Sequence, residues 1–438
     1  MGDQPDQLSV DDARLLERES APIAGHTLKL IVHDPAAEPL DLERLRASVG
    51  SRLQKGSRGR ERVELGPPAR WVADDGFEIA AHVRRAVGTE GIDERGAWDA
   101  AAALMSQRLD HERPLWRFDV VGPFADGREA IVCRIHHAMA DGISSVRFLH
   151  EVLWEEAQAP ARKPRTAGPA LEAKHSRLGE AARLPGALIR ELGHRASDTV
   201  LDRPIGSARE VAFAAFPLAE LKAIGASRPG HVTVNDVFLA GIAGGLRRWL
   251  EHAGERLPRL RAQIPVSLHH RDEGDELGNR DSFLNVDLPV SEPDPLARLD
   301  AINAQTAAGK AHGDAEELYD LFHALSRFGA LDRAAQHLAG SPREFSLSIS
   351  NVPGPGAGLQ VGGRRVLNLF SVAEPADRHA LRASAISCSG LVGIGLCTDP
   401  DAVSGVSELA AAIEASLEEL RAAAAPPAPP TSTSSASG

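Results

Sequence analysis

Cysteine is scarce in this sequence. Only Cys133, Cys388 and Cys397 occur among its 438 residues, and their spacing fits no zinc or redox motif. An odd number of distant cysteines also argues against a framework of disulfide bonds. The sequence therefore excludes a small protein built on disulfides or on a cysteine-ligated metal.

The chain also lacks a long apolar run and an excess of positive charge. No stretch approaches the roughly 18–20 apolar residues that span a bilayer, and the acidic N-terminus lacks the basic and apolar regions of a signal peptide. The formal net charge is −12, which leaves no obvious means of gripping nucleic acid. We therefore expect a cytoplasmic protein with no nucleic-acid partner, whose contact with a membrane or lipid droplet, if it has one, is peripheral.

Length and composition indicate a globular protein with more than one core. Hydrophobic residues make up 43% and charged residues 25% of the chain, and a chain of this length predicts two domains or two halves. Residues 156–170 contain prolines and basic residues without apolar periodicity, and they are interpreted as a linker. Residues 423–438 hold only Ala, Pro, Ser, Thr and Gly and are interpreted as a disordered tail. The predicted halves are therefore residues 1–155 and 171–422.

Helical and strand patterns occur in both halves. Apolar residues at helical spacing predict helices, and alternation with β-branched residues predicts strands. Strands are predicted at 27–32, 129–137, 261–266, 282–288, 345–350 and 391–396, and helices at 40–53, at 171–201 and from about residue 233.

Two adjacent histidines end the strand predicted at 129–137. Side chains alternate between the faces of a strand, so His136 and His137 point in opposite directions and only one can serve a given cavity. His137 shares its face with apolar neighbours, which desolvate an imidazole and favour its neutral, basic form.

A turn and a helix start follow the pair. Asp141 comes four residues after His137, and Gly142 permits a tight turn. Ser144 and Ser145 are predicted to cap the next helix.

Local geometry leaves three interpretations of the pair open. The histidines can be structural, with Asp141 bonding the amides of the turn. They can also begin a metal site, although the spacing supplies no further ligands. In the third interpretation a neutral imidazole takes a proton from a hydroxyl that attacks a carbonyl. No Gly-x-Ser-x-Gly elbow and no Cys-His signature suggests a covalent intermediate, so direct attack by the acceptor is preferred.

The segment from His137 to Gly142 resembles the His-x-x-x-Asp-Gly motif of the chloramphenicol acetyltransferase-like superfamily. The doubled histidine, His136-His137, is similar to that of the bacterial wax ester synthase/diacylglycerol acyltransferase family. Four other segments resemble the family's motifs and occur in its order along residues 8–422. They are Pro114-Leu115-Trp116, Asn235-Asp236, Gly278 to Ser282, and Ser350-Asn351 with the Val-Pro-Gly-Pro that follows.

The resemblance implies a fold and a reaction. The fold would be α/β, with two subdomains of mixed sheets flanked by helices and a tunnel between them. His137 would be the general base near the middle of the tunnel, and Asp141 would hold the motif's loop. Acyl-coenzyme A would be the acyl donor, and no metal or redox cofactor would be needed.

The acceptor stays open at this point. A fatty alcohol would yield a wax ester and a diacylglycerol would yield triacylglycerol, while a natural-product hydroxyl is a third acceptor class. A different class of function is a catalytically silent homologue that binds lipid, which the joint retention of His137, Asp141 and Gly142 disfavours.

The remaining motifs have structural interpretations beside the functional one. Asp236 lies three residues after Thr233, in a variant of the capping box, so Asn235 and Asp236 are expected to shape the second half's entry to the tunnel without touching substrate. Pro114, Leu115 and Trp116 are expected to pack and position the following strand. Ser350 and Asn351 precede a turn-rich loop that is expected to lie between the halves.

Overall fold

The computed structural model describes residues 6–54, 56–156, 199–267, 281–312, 344–356 and 358–425. Most of the predicted linker, nearly all of the predicted helix at 171–201, the motif residues 278–280 and the tail beyond residue 425 lie outside these ranges. The linker and tail assignments therefore stay predictions. Ala423 and Ala424 are an exception, because they end the last helix rather than begin a tail.

A seven-stranded mixed sheet forms the first lobe. Strand β2 (His26–His33) lies at its centre, between β7 (Ala130–His136) and β14 (Arg364–Ala373), and all residues of β2 are buried. In order across the sheet the strands are β5 (Val83–Arg85), β6 (Trp116–Val121), β7 (Ala130–His136), β2 (His26–His33), β14 (Arg364–Ala373), β13 (Leu359–Val361) and β8 (Glu155–Glu156). A three-stranded antiparallel sheet accompanies it, in the order β1 (Asp6–Gln7), β4 (Arg70–Ala73) and β3 (Glu61–Glu64).

A six-stranded mixed sheet forms the second lobe. Strands β10 (Leu260–Ser267), β12 (Leu347–Val352) and β15 (Leu381–Cys388) run parallel to one another, and the other neighbouring strands pair antiparallel. In order across the sheet the strands are β11 (Asp281–Leu288), β10 (Leu260–Ser267), β12 (Leu347–Val352), β15 (Leu381–Cys388), β16 (Leu391–Thr398) and β9 (Glu210–Pro217). The prediction of an α/β fold with two mixed sheets is confirmed.

Helices flank both sheets. In the described part of the chain none of them is long and apolar enough to cross a membrane. They are α1 (Val10–Glu17), α2 (Leu42–Arg52), α3 (Ile79–His82), α4 (Glu94–Met105), α5 (Gly142–Val152), α6 (Leu218–Ala226), α7 (Val234–His252), α8 (Pro295–His312) and α9 (Val406–Ala424).

Helices α7 and α9 pack closely in the core of the second lobe. Glycine inside a helix costs about 1 kcal/mol relative to alanine, yet α7 contains Gly241, Gly244 and Gly245. A Cβ atom at Gly245 would lie 2.4 Å from the side chain of Ile413 on α9. The glycines therefore allow the two helices to approach closely. The apolar surface buried between the helices offsets the cost of glycine inside α7.

Two strands cross from the second half of the chain into the first lobe. Strand β14 pairs antiparallel with β2, from Val366 opposite His33 to Ala373 opposite Thr27, and β13 continues the same sheet. The predicted division of the chain into consecutive halves did not anticipate this crossover. Because β14 lies beside the strand that pairs with β7, residues just after it come close to the histidine pair.

The predicted strands correspond to β2, β7, β10, β11, β12 and β16 within a few residues, and α2 and α7 match two predicted helices. The predicted cap of α5 is wrong. Asp141, rather than Ser144 or Ser145, is its N-cap, because its carboxylate accepts a hydrogen bond from the Ser144 amide at 2.6 Å.

Candidate active site

The two adjacent histidines lie in different surroundings, as alternation along a strand predicts. His136 is fully buried. Its Nδ1 accepts a hydrogen bond from the Ala138 amide at 3.0 Å, and its Nε2 lies 2.8 Å from Oε1 of Glu19. The same carboxylate oxygen contacts Nε2 of His111 at 2.8 Å. His136 is therefore held on both sides of its ring.

Glu19 joins His111 and His136 in one charged cluster. Burial by itself would raise the pKa of Glu19, but the hydrogen bonds to His111 and His136 outweigh it and lower the pKa to about 2. The hydrogen bond to Glu19 in turn raises the pKa of His111. The carboxylate stays ionised and fixes His136.

His137 keeps its ring free. Its backbone amide donates to the Gly25 carbonyl at 2.9 Å, whereas its side chain hydrogen-bonds to none of the described residues and keeps some solvent contact. Burial, followed by the charges of Arg382, His136 and Lys29, lowers the pKa of His137 to about 3. The imidazole is therefore neutral at physiological pH and open to an incoming ligand.

The turn after the histidines reaches the second lobe. Asp141 caps α5 with its carboxylate, and Gly142 begins that helix. A Cβ atom at Gly142 would lie 3.4 Å from Cγ2 of Val352 at the end of β12. The motif therefore lies between the lobes, and the cap supports the structural role proposed for Asp141.

Glu374 connects the crossover strand to the histidines. Its carboxylate accepts hydrogen bonds from the amides of Ala24 and Gly25 at 2.9 Å and pairs with Arg209 at 3.2 Å. Gly25 adopts φ +75°, and its carbonyl holds the His137 amide. Glu374 thus positions the turn on which the His137 backbone rests.

Lys29 is a buried cation on the strand next to β7. Its Nζ donates to Oγ1 of Thr27 at 3.1 Å and to Oγ of Ser371 at 2.9 Å. Burial lowers the pKa of Lys29 to about 8, with Cys133 and Asp141 opposing that shift and Arg382 adding to it.

Sequence reasoning missed Glu19, Lys29, Glu374 and Arg382. Lys29 had a usable signal, a lysine between two leucines in an apolar strand. The others act through contacts between distant parts of the chain, which no local pattern reveals.

The Pro114-Leu115-Trp116 segment lies beside β7, the strand that ends at His136. The Leu115 carbonyl accepts a hydrogen bond from the His136 amide at 3.0 Å. Trp116 is buried, and its Nε1 donates to the Gly59 carbonyl at 2.9 Å. These contacts support the packing role expected for the segment.

The motif residues of the second lobe divide into two groups. Asn235 and Asn351 are joined by a 3.4 Å hydrogen bond, and Asn351 immediately precedes the Val352 that adjoins Gly142. Ser350 bonds to the Ser384 hydroxyl at 3.0 Å. These three residues therefore lie near the histidine motif, on the opposite lobe.

Asp236 forms the second group by itself. It accepts hydrogen bonds from Thr233 in a capping box and from the side chains of Asn303 and Thr306. Burial opposes ionisation, but these hydrogen bonds prevail and lower the pKa of Asp236. The predicted capping box is confirmed.

The metal-site interpretation finds no support in the described ranges. They hold no group of three or more His, Cys, Asp or Glu side chains that could bind a metal ion.

The two-lobed fold of mixed sheets is shared with solved structures of an acyltransferase and of condensation domains. The structure resembles a wax ester synthase/diacylglycerol acyltransferase of Marinobacter aquaeolei VT8, with TM-score 0.72, 22% identity and coverage of 96% of this chain and 99% of that one. It also resembles the first condensation domain of the calcium-dependent antibiotic synthetase, with TM-score 0.59, 17% identity and 98% coverage of both chains. At these identities the likeness shows the fold.

Sequence comparison defines the family. The model of the wax ester synthase/diacylglycerol acyltransferase catalytic domain matches residues 8–195, and the model of the family's C-terminal domain matches residues 277–421. A protein of Mycobacterium tuberculosis named as a probable diacylglycerol O-acyltransferase is 30% identical over 421 residues, which cover 89% of each chain. The chain belongs to the wax ester synthase/diacylglycerol acyltransferase family and is an acyl-CoA O-acyltransferase.

Proposed function

We propose that this enzyme transfers a long-chain acyl group from coenzyme A to the hydroxyl of a fatty alcohol or a diacylglycerol, with His137 as the general base. One observation carries the proposal. The His137 ring is neutral, lies between the lobes and forms no hydrogen bond with any residue that the structure describes, while its neighbour His136 is fixed by Glu19. A base must have an unoccupied nitrogen within reach of the proton that it abstracts.

In the proposed reaction the hydroxyl proton moves to His137 while the hydroxyl oxygen attacks the thioester carbon. The carbonyl electron pair moves onto the carbonyl oxygen, which becomes an oxyanion. When this intermediate collapses, the carbon–sulfur bond breaks and its electron pair stays on sulfur. The proton on His137 then passes to the thiolate, so the products are an ester and free coenzyme A.

The burial of Cys133 supports transfer without an acyl-enzyme. Cys133 is the cysteine nearest to the base in sequence, on the face that His137 continues. Burial raises the pKa of Cys133 well above its usual value, Asp119 adds to this and Lys29 opposes it. A thiol is a poor nucleophile compared with a thiolate, so we assign the attack to the acceptor.

The other motif residues take supporting roles in the proposal. Asp141 and Gly142 shape the turn that carries the base, and Asn235, Ser350 and Asn351 line the opposite lobe. Acyl-CoA enters as substrate and no cofactor is assigned. Contact with a membrane or lipid droplet would be peripheral.

A thiol-release assay tests the proposal. Purified protein is incubated with palmitoyl-CoA and either hexadecanol or dioleoylglycerol, and free coenzyme A and ester are both measured. His137→Ala should lower kcat by roughly 100- to 10,000-fold, the usual contribution of a general base.

His136→Ala is the matched control. It removes the adjacent ring and the contact with Glu19, so we expect lower stability with measurable transfer. A wild-type rate in His137→Ala, or ester formation that depends on His136 alone, would contradict the assignment.

A further inference from the structure

Arg382 lies on the face of β15 that looks toward the first lobe. Leu381, Ala383 and Ala385 pack into the core of the second lobe. Ile386, which alternation places on the same face as Arg382, packs with Ile135 in the apolar cluster of the first lobe. The Arg382 side chain therefore projects between the two sheets, the region that also contains His137.

The Arg382 guanidinium has few partners. One Nη1 hydrogen bond, 3.3 Å long, goes to the Glu374 backbone carbonyl, and Nε is buried with no hydrogen-bond partner among the described residues. The Glu374 carboxylate is engaged by Ala24, Gly25 and Arg209. Within the described ranges no carboxylate forms an ion pair with Arg382.

Lys29 is a second cation that faces the same space. It pairs across the sheet with Cys133, which belongs to the cluster that contains Ile135 and Ile386. The charges of Arg382 and Lys29 both act on His137, from β15 and from β2, and His136 adds to them from its own strand. Asp141 is the carboxylate whose charge acts on Lys29. Lys29 is buried and Arg382 is partly buried, and neither forms an ion pair with a described carboxylate, although the charge of Glu374 acts on Arg382. Cations in such surroundings are costly, which points to a negative charge supplied by the reaction.

We propose that Arg382 is a further catalytic residue, which binds the oxyanion formed on the thioester carbonyl oxygen, and that Lys29 supports it as a second cation. This inference rests on the proposed function. As the hydroxyl oxygen bonds to the thioester carbon, the carbonyl electron pair moves onto the carbonyl oxygen, and Arg382 binds the oxyanion that results. The pair returns when the carbon–sulfur bond breaks.

Charge balance explains why the cations lie beside the base. In the free enzyme they oppose protonation of His137, because like charges in a poorly solvated region repel. In the transition state an oxyanion forms at the moment when His137 gains its proton, so each new charge has an opposite neighbour. Donors already oriented toward such an oxyanion typically contribute 100- to 1,000-fold to kcat.

Substitution of Arg382 has two effects of opposite sign, and this makes the test sharp. Arg382→Gln removes a charge that lowers the pKa of His137, so the pKa of the base should rise and the acidic limb of kcat/KM should move to higher pH. If Arg382 only held the sheets together, a folded variant with a stronger base should keep or increase its kcat. If it binds the oxyanion, kcat should fall by roughly 100- to 1,000-fold, with KM for palmitoyl-CoA within about threefold of wild type.

The experiment compares wild type, Arg382→Gln, Arg382→Lys and a control in the thiol-release assay from pH 3 to 9, a range that includes the acidic limb of a base whose pKa is about 3. Arg365→Gln is the control. Arg365 lies on the neighbouring strand β14, is exposed, and forms an ion pair with Asp34. Arg382→Lys keeps a positive charge and should recover part of the lost kcat. Lys29→Met should lower kcat less than Arg382→Gln and move the acidic limb in the same direction.

The outcomes separate this inference from the proposed function. No thiol release by wild type, or a wild-type rate in His137→Ala, contradicts the proposed function. If wild type releases thiol and His137→Ala is slow, but folded Arg382→Gln keeps a wild-type kcat, the role of Arg382 is overturned while the proposed function stands. If the glutamine variant does not fold, Arg382→Met fills a similar volume without burying an unpaired amide, and the same criterion applies to it.

Discussion

Replacement of Glu19 by glutamine tests the cluster that holds His136. Glu19→Gln keeps the size of the side chain but removes the charge that His111 and His136 share. Both rings contact the same carboxylate oxygen, Oε1, and the uncharged amide oxygen that replaces it is a weaker acceptor. We therefore expect lower stability and a partial loss of transfer, because the ring next to the base loses its anchor.

The size of the effect follows from the pKa of Glu19. The pKa falls from the ordinary value of 4.5 to about 2, and one pKa unit corresponds to about 1.4 kcal/mol. The interaction therefore stabilises the fold by about 3 kcal/mol, within the range of about 3–5 kcal/mol for breaking a buried ion pair. Little solvent screening applies, because the Glu19 side chain is only 6% exposed.

The pH dependence has a defined sign. The lowered pKa of Glu19 means that its contribution is complete above about pH 4.5 and is lost as the pH falls toward 2. The raised pKa of His111 means that its contribution is complete below about pH 6.5 and is lost as the pH rises through the raised value. Both shifts describe the same contact, so they are not added. The difference between wild type and Glu19→Gln should be largest between about pH 4.5 and 6.5.

Urea unfolding followed by tryptophan fluorescence at pH 5.5 and pH 8.5 measures this difference. Glu17→Gln is the control, since Glu17 is an exposed glutamate at the end of α1. The reasoning is refuted if Glu19→Gln unfolds at the same urea concentration as Glu17→Gln at pH 5.5, or if its effect is larger at pH 8.5.

Four further outcomes are expected. Gly25→Ala should destabilise the fold and lower kcat much more than Gly88→Ala, because both glycines have a positive φ but only at Gly25 would the new Cβ meet a side chain, His136 Nε2 at 2.3 Å; equal melting temperatures would contradict this. Glu374→Gln should destabilise the fold and lower kcat in a folded sample, since it removes the ion pair with Arg209 and weakens the hydrogen bonds from the Ala24 and Gly25 amides; a wild-type urea midpoint rules this out. Asp236→Ala should lower the free energy of unfolding by about 2–3 kcal/mol, with little change in KM. Asp93→Ala, which removes a simple helix cap, should lower it by about 1 kcal/mol. A large rise in KM for Asp236→Ala would assign Asp236 to substrate binding. Intact-mass spectra after incubation with palmitoyl-CoA alone should show no added acyl mass, and a stoichiometric adduct would refute direct transfer.

Local patterns in the sequence were sufficient to single out the proposed base and to locate most of the strands. Alternation separates His136 from His137, and a strand obeys it whatever lies around it. The capping box at Thr233 and Asp236 is equally local, since its hydrogen bonds span three residues. The family resemblance rested on short motifs in the correct order, and the family models confirm it.

Only the tertiary structure decided what surrounds the base. Glu374 holds Gly25, which is 349 residues away along the chain, and the charge of Arg382 acts on His137 because β14 and β15 bring the lobes together. The identity of the N-cap of α5 was also decided by the geometry of the turn, since Asp141 and Ser144 are both good caps by residue type. Hydrogen bonds and charges act over a few ångströms in space, and a sequence pattern reports spacing along the chain. The sequence therefore points to His137 as the candidate base, while the pKa of His137, the residues that support it and its neighbouring cations depend on the folded arrangement of distant segments.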